Sequence, residues 1–159
     1  MPELVLPTLA VRDSFLAGER AACAADGTPP SWLDSVEADF EGYVTRMRQP
    51  RQKWGVLTSE YWYVSGPVYY GGITIRHRLT PELRRSGGHI GYIVVPPYRR
   101  RGHATAMLAG ACAICHAQGM TELLLTCDED NTGSRRVIEA NGGTLAEVTG
   151  GICHYWIRR

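Results

Sequence analysis

The sequence predicts a mixed α/β fold, and three observations carry that prediction. Apolar residues recur at three-to-four spacing from Trp32 to Met47, as on a helix. From Trp54 the grammar changes to aromatic and β-branched strands. Residues 90–108, IGYIVVPPYRRRGHATAML, then join a short apolar strand to a helix through a basic turn. No repeat, linker or second domain is legible. The 159 residues are therefore expected to form one domain, long enough to bury most of the surface its unfolded chain exposes.

Taken in order, the chain opens on a short strand at Leu4–Leu6 or a loose arm, then a helix from about Val11 to Ala25, stopped by Asp26-Gly27-Thr28-Pro29-Pro30. Ser31 followed by Asp34 reads as a capping box. Trp32, Leu33, Val36, Phe40, Tyr43, Val44 and Met47 then predict one second helix running to Arg48, before Pro50. Tyr61–Val64 and Val68–Leu79 read as two strands around the turn Ser65-Gly66-Pro67, with Gly71-Gly72 marking a bulge or a close backbone approach. On the second strand Ile73, Ile75, His77 and Leu79 share one face, and Thr74, Arg76 and Arg78 the other.

His89–Val95 follows as the central strand. The helix after it carries Ala104, Met107, Leu108, Ala111, Cys112 and Cys115 on one stripe and stops at Gly119. Leu123–Cys127 is apolar without alternation, as in a strand covered on both faces. A helix over Thr132–Ala140, ended by Asn141-Gly142-Gly143, and two last strands (Thr144–Thr149 and Ile152–Arg158) complete the chain.

Composition excludes several classes. Lys+Arg 17 against Asp+Glu 16 leaves a net charge of +1, too little for a nucleic-acid or membrane-surface protein, so neither partner is expected. No apolar run reaches membrane-spanning length and the N-terminus does not read as a signal peptide, which predicts a cytoplasmic protein. Five scattered cysteines fit reduced thiols. Cys112-Ala113-Ile114-Cys115-His116 spells the C-x-x-C-H haem-attachment sequence. It lies mid-helix on the apolar stripe, so core packing is the better reading, and no metal site is expected.

The chemistry concentrates in the basic turn. Pro96 and Pro97 must end the strand, Gly102 lets the backbone turn sharply, and the helix beginning near His103 aims unpaired N–H groups and its positive dipole end back at the turn. That combination suits a phosphate or pyrophosphate.

Val94, Pro96, Arg99, Gly102 and Ala104 also fill the pattern V-x-P-x-x-R/Q-x-x-G-x-G/A. Downstream, DNTGSRRVIEANGG (130–143) places an asparagine at the opening of a helix that ends in glycines. These two landmarks, in order and at this spacing, resemble the coenzyme-A motif and the following helix of the GNAT superfamily of N-acetyltransferases, over roughly residues 60–158. The resemblance implies a twisted, mostly antiparallel mixed sheet of six to seven strands with about four helices, an acetyl-CoA cosubstrate, and transfer of an acetyl group to the amine of a small molecule or peptide. It leaves the oligomeric state open, a homodimer included.

By the same resemblance the backbone of Arg100, Arg101, Gly102, His103, Ala104 and Thr105 would cradle the pyrophosphate. Arg99 stands in the motif position, while Arg100 and Arg101 would meet outer phosphates or only water. Tyr92 to Val94 would pair with the pantetheine arm, the Tyr92 N–H serving as oxyanion donor. Asn131 would hold the pantetheine arm, cap its helix, or both.

Two usual family residues are missing. Ile138 stands where many members carry a tyrosine acid, and Gly88 where many carry a glutamate base. A thiol leaving group with a pKa of about 8.5 needs little assistance, and water can remove the amine proton. Replacement candidates are His89, His77, Cys127 and Tyr155. The losses also admit a non-catalytic coenzyme-A-binding or sensor domain. A nucleotide binder using the same turn is a third reading, without a P-loop glycine pattern to support it.

Overall fold

The computed structural model describes residues 1–159 as eight strands and six α-helices. The strands are β1 (Glu3–Val5), β2 (Arg51–Lys53), β3 (Val56–Ser65), β4 (Val68–Arg76), β5 (Ile90–Val94), β6 (Glu122–Asp128), β7 (Thr144–Thr149) and β8 (Ile152–Arg158). The helices are α1 (Arg12–Asp26), α2 (Trp32–Ala38), α3 (Phe40–Met47), α4 (Pro81–Arg85), α5 (His103–Ala117) and α6 (Thr132–Ala140). All strand pairs are antiparallel and form two sheets: β1-β3-β4-β5, with β2 also on β3, and β6-β8-β7. The counts exceed six to seven strands and about four helices because the additional elements, β2 and α4 among them, are very short. No helix is long and apolar enough to cross a membrane.

Strand alternation distributes two cores. Tyr63, Ile73, Ile75, Ile90 and Val94 face α5, where Met107, Leu108, Ala111, Cys112 and Cys115 meet Leu123, Leu125, Cys153, Tyr155 and Ile157 of the second sheet. This core therefore runs under both sheets. On the opposite face of the first sheet, Trp62, Val64 and Tyr69 meet Phe15, Leu33, Val36, Phe40 and Val44 of α1–α3. The Phe15 and Trp62 rings stack there at 4.5 Å. Cys112 and Cys115 lie deep in the first core, where burial pushes their thiols up to about 11 and about 12.

The single helix expected over residues 31–48 is two. Ser31 already has helical dihedrals and its side chain makes no capping bond, so the anticipated capping box is not formed. Asp39 instead leaves the helical region, and its carboxylate accepts from the Gly42 N–H at 3.0 Å, ending α2 and capping α3. The apolar spacing continues through this break because both helices turn the same side toward Trp62.

The bulge lies beside the glycine pair. The β3–β4 register shifts between Tyr63 and Val64, leaving Tyr70 as the extra residue. Gly71 is the close approach: a side chain there would run into the Ile93 carbonyl and the Val94 backbone. Gly71→Ala should therefore destabilise the fold by about 1–3 kcal/mol, as overpacking does. A lowered urea midpoint at unchanged slope would show it, and an unaltered midpoint would contradict the packing described.

Candidate functional site

A cleft of about 1150 Å³ lies between β5 and β6, and backbone bonding explains why it exists. The Arg76 N–H donates to the His89 carbonyl at 2.7 Å and the Val95 N–H to the Tyr70 carbonyl at 3.0 Å. Antiparallel alternation between these bonds turns the N–H and C=O groups of Gly91 and Ile93 toward β4. The polar backbone of Ile90, Tyr92 and Val94 therefore points away from it, toward β6. There the strands join at one place. The His89 N–H donates to the Leu124 carbonyl at 2.7 Å, and the Leu124 N–H donates to His89 Nδ1 at 2.9 Å. Beyond it β5 and β6 separate, leaving an unpaired strand edge that includes the Tyr92 N–H.

The basic turn closes one end. After the 3-10 turn Pro96–Tyr98, Arg100 and Gly102 both take left-handed dihedrals, φ 64° and 82°. Such a sequence curls successive N–H groups into a concavity. The N–H groups of Arg100, Arg101, Gly102, His103, Ala104 and Thr105 donate to no protein acceptor, and α5 starts at His103. A side chain at Gly102 would project into open space. These features fit a pyrophosphate. Arg99 turns back into the protein: its Nε donates to the Val94 carbonyl at 2.7 Å and its Nη2 lies 3.5 Å from Asp26. Arg100 lines the cleft; Arg101, exposed, does not.

The N-terminus of α6 forms the far wall. Asn131 caps it, Oδ1 accepting from the Ser134 N–H at 3.1 Å, and its Nδ2 has no protein acceptor. Ser134 was not expected; its hydroxyl lies 2.7 Å from the Tyr92 phenol across the cleft. Its place in the first turn of a helix aimed at the cleft was the one signal available. Burial raises the Tyr92 phenol above its ordinary pKa, keeping it protonated. Cys127 also lines the cleft, its thiol raised chiefly by burial.

The other replacement candidates lie apart. His89 is buried and occupied with Leu124, and burial, aided by the charges of Arg84 and His77, lowers it to about 4. Tyr155 is buried, donating to Glu139 at 2.8 Å and accepting from Arg135 Nε at 3.0 Å. His77 Nε2 is 2.8 Å from the Ser59 hydroxyl. None of the three lines the cleft. Ile138 is core. Gly88 has φ 63°, and a side chain there would meet the Leu124 carbonyl, so no glutamate fits.

A splayed sheet edge beside a main-chain anion cradle suits an extended ligand that carries a pyrophosphate. The chain belongs to the GNAT acetyltransferase family: the family model of the acetyltransferase (GNAT) domain matches residues 13–144. It is an acetyl transfer enzyme with acetyl-CoA as cosubstrate. No curated protein matches it in sequence. Solved structures share the fold. The GNAT domain of S. lividans PAT superposes with a TM-score of 0.65 at 14% identity, covering 99% of this chain and 90% of that one. The microcin C7 self-immunity acetyltransferase MccE, in complex with acetyl-CoA and AMP, gives 0.61 at 13% identity, over 98% and 91%. The PaiA N-acetyltransferase of Thermoplasma acidophilum, in complex with coenzyme A, gives 0.61 at 12% identity, over 100% and 99%.

The His89 environment sets a pH dependence. The unfolded histidine titrates at about 6.5, whereas the folded one resists protonation until about 4. The unfolded state therefore binds the extra proton as pH falls from about 6.5 to about 4, and stability declines over that window. His89→Asn, which keeps an acceptor for Leu124, should flatten this limb in urea midpoints between pH 7 and 4.5. Parallel wild-type and variant profiles would refute the assignment.

Proposed function

We propose that residues 1–159 act as one cytoplasmic N-acyltransferase domain that moves an acetyl group from acetyl-CoA directly to the amine of a small molecule or peptide. The carrying observation is the continuity of two sets of unbonded main-chain donors, the turn from Arg100 to Thr105 and the Tyr92 N–H, along one cleft. Acetyl-CoA supplies the activated acyl group. The turn N–H groups and the α5 dipole hold its pyrophosphate. The outward backbone of Tyr92 and Val94 binds its extended arm as an added strand would, and Asn131 Nδ2 donates to the same arm.

The Tyr92 N–H is fixed where negative charge develops on the acyl oxygen, a role that needs no reorganisation at the moment of reaction. With Ile138 in the core, the Tyr92 phenol and its Ser134 partner form a hydroxyl pair across the cleft that can protonate a departing thiolate. Water takes the amine proton in place of the carboxylate that Gly88 excludes. Catalysis therefore rests mainly on holding amine and thioester together. Five unpaired cysteines, four buried and Cys127 partly so, suit a reducing compartment.

One second reading has specific support. Gly88 and Ile138 remove the usual base and acid, as in a domain that binds coenzyme A without turnover. Acetyl-CoA at about 100 times its dissociation constant should stabilise the fold by about 2.7 kcal/mol, a shift of several degrees in thermal unfolding. Gly102→Glu, which forces a charged side chain into the left-handed turn, should abolish the shift while the fold survives. Stabilisation without acetyl transfer to any amine would select the sensor reading, and no stabilisation would refute both.

Tyr92→Phe provides a sharper test of the hydroxyl pair. It should lower kcat by about tenfold or more, the scale of general acid assistance. The stabilisation by acetyl-CoA should remain, since the main-chain donor is retained. An undiminished kcat would remove the phenol from the reaction.

A further inference from the structure

Arg76 is the last residue of β4, and its side chain crosses the face of β5 at Gly91. Nη1 donates to the carbonyls of Gly87 and Gly88 at 3.0 and 3.2 Å, clamping the loop before β5. The guanidinium carbon lies 4.5 Å above the Trp54 ring. These contacts hold the group in place yet use one of its three nitrogens. Nε is buried without a partner and Nη2 donates to nothing.

No carboxylate lies within ion-pair distance of Arg76. Glu60, on the same side of the sheet, already bonds Thr74 and Trp62 and lies 3.8 Å from Arg51. Glu82, exposed on α4, lines the adjoining cavity without pairing to it. Arg76 is thus a half-buried cation with no counter-charge, an arrangement that is costly unless an anion arrives. Its lowered pKa, caused by that burial, reports the same imbalance.

The position of the group indicates what arrives. Arg76, Ser86 and Gly87 form the saddle between the large cleft and a second cavity of about 440 Å³ bounded by Trp54, Thr80 and Leu83. At Gly91 an added Cβ would lie 3.3 Å from Nη2, so the missing side chain leaves the guanidinium edge open to the cleft. Gly91 is next in chain to Tyr92, whose N–H points at the acyl site, and one strand residue spans about 3.3 Å.

From this geometry we propose that Arg76, seated on Trp54, is the acceptor-binding residue, and that the acceptor is a small amine carrying a carboxylate or phosphate roughly two to four bonds from its nitrogen. Arg76 would anchor the oxyanion while the amine reaches back past Gly91 to the thioester. This rests on the transferase reading above.

Acetyl transfer to matched pairs of amines tests it: glycine and glycinamide, β-alanine and its amide, O-phosphoethanolamine and ethanolamine. In the wild type the anionic member should be preferred by about tenfold or more, and the carboxylate and phosphate pairs show which oxyanion fits. Arg76→Ala should raise KM for the anionic member about ten- to hundredfold and bring each pair to near parity. Arg76→Lys should retain part of the preference, and both variants should keep the thermal stabilisation by acetyl-CoA as proof of a formed cleft. Equal use of both members, a preference that survives Arg76→Ala, or no acetylation of any pair by a wild type that binds acetyl-CoA would each overturn the assignment. Failure of the wild type to bind acetyl-CoA would instead strike the transferase reading and the inference with it.

Discussion

The reciprocal hydrogen bonds between His89 and Leu124 are the constraint on which the site depends. They join the two sheets at one end of β5 and leave the other end free. Nearby ties reinforce the junction: the Gly87 N–H donates to the Thr126 hydroxyl at 2.8 Å, and His154 Nε2 lies 3.0 Å from the Arg85 carbonyl. Were β5 and β6 paired along their length, the Tyr92 N–H would be spent on a ladder bond. Were they unjoined, the shared core beneath α5 would have no fixed spacing. A single point of attachment with one contiguous core below gives both a rigid floor and an open edge.

The same junction accounts for the residues the chain lacks. Gly88 adopts a conformation only glycine takes easily, pressed against the Leu124 carbonyl, so the position that usually supplies a base is consumed by architecture. Ile138 is likewise fully buried in the shared core. What remains in the cleft is main chain, several hydroxyls with the Tyr92–Ser134 pair among them, the partly buried Cys127 thiol, and the side chains of His103 and Asp128. The unbonded main-chain donors of the turn and of Tyr92 add fixed dipoles to that set.

Much of this was legible because it is local. The strand, the prolines, Gly102 and the start of α5 lie within twenty residues, and turn chemistry alone fixes how they fold. The break at Asp39 was hidden because the apolar spacing runs through it uninterrupted. The role of His89 was hidden for another reason: its partner lies 35 residues away, and no local pattern reveals a histidine that bonds a distant strand. Tyr155, paired with Arg135 and Glu139, is a similar case. Arg99 fills its motif position yet bonds Val94 and Asp26, so its side chain makes folding contacts that the motif alone does not reveal.

The left-handed Arg100 has a consequence for how this protein can change. Holding a non-glycine residue at φ 64° costs on the order of 1 kcal/mol, supplied by the surrounding fold before any ligand arrives. Because the donors it arranges belong to the main chain, replacing the side chains of Arg100, Arg101 or His103 leaves those donors in place. The turn is thus insulated from most single-residue changes, and its outer charge can drift while the array of main-chain donors persists. Mutational robustness is built into the backbone at one end of the cleft, whereas the other end is walled by individual side chains such as Arg76 and is free to be retuned.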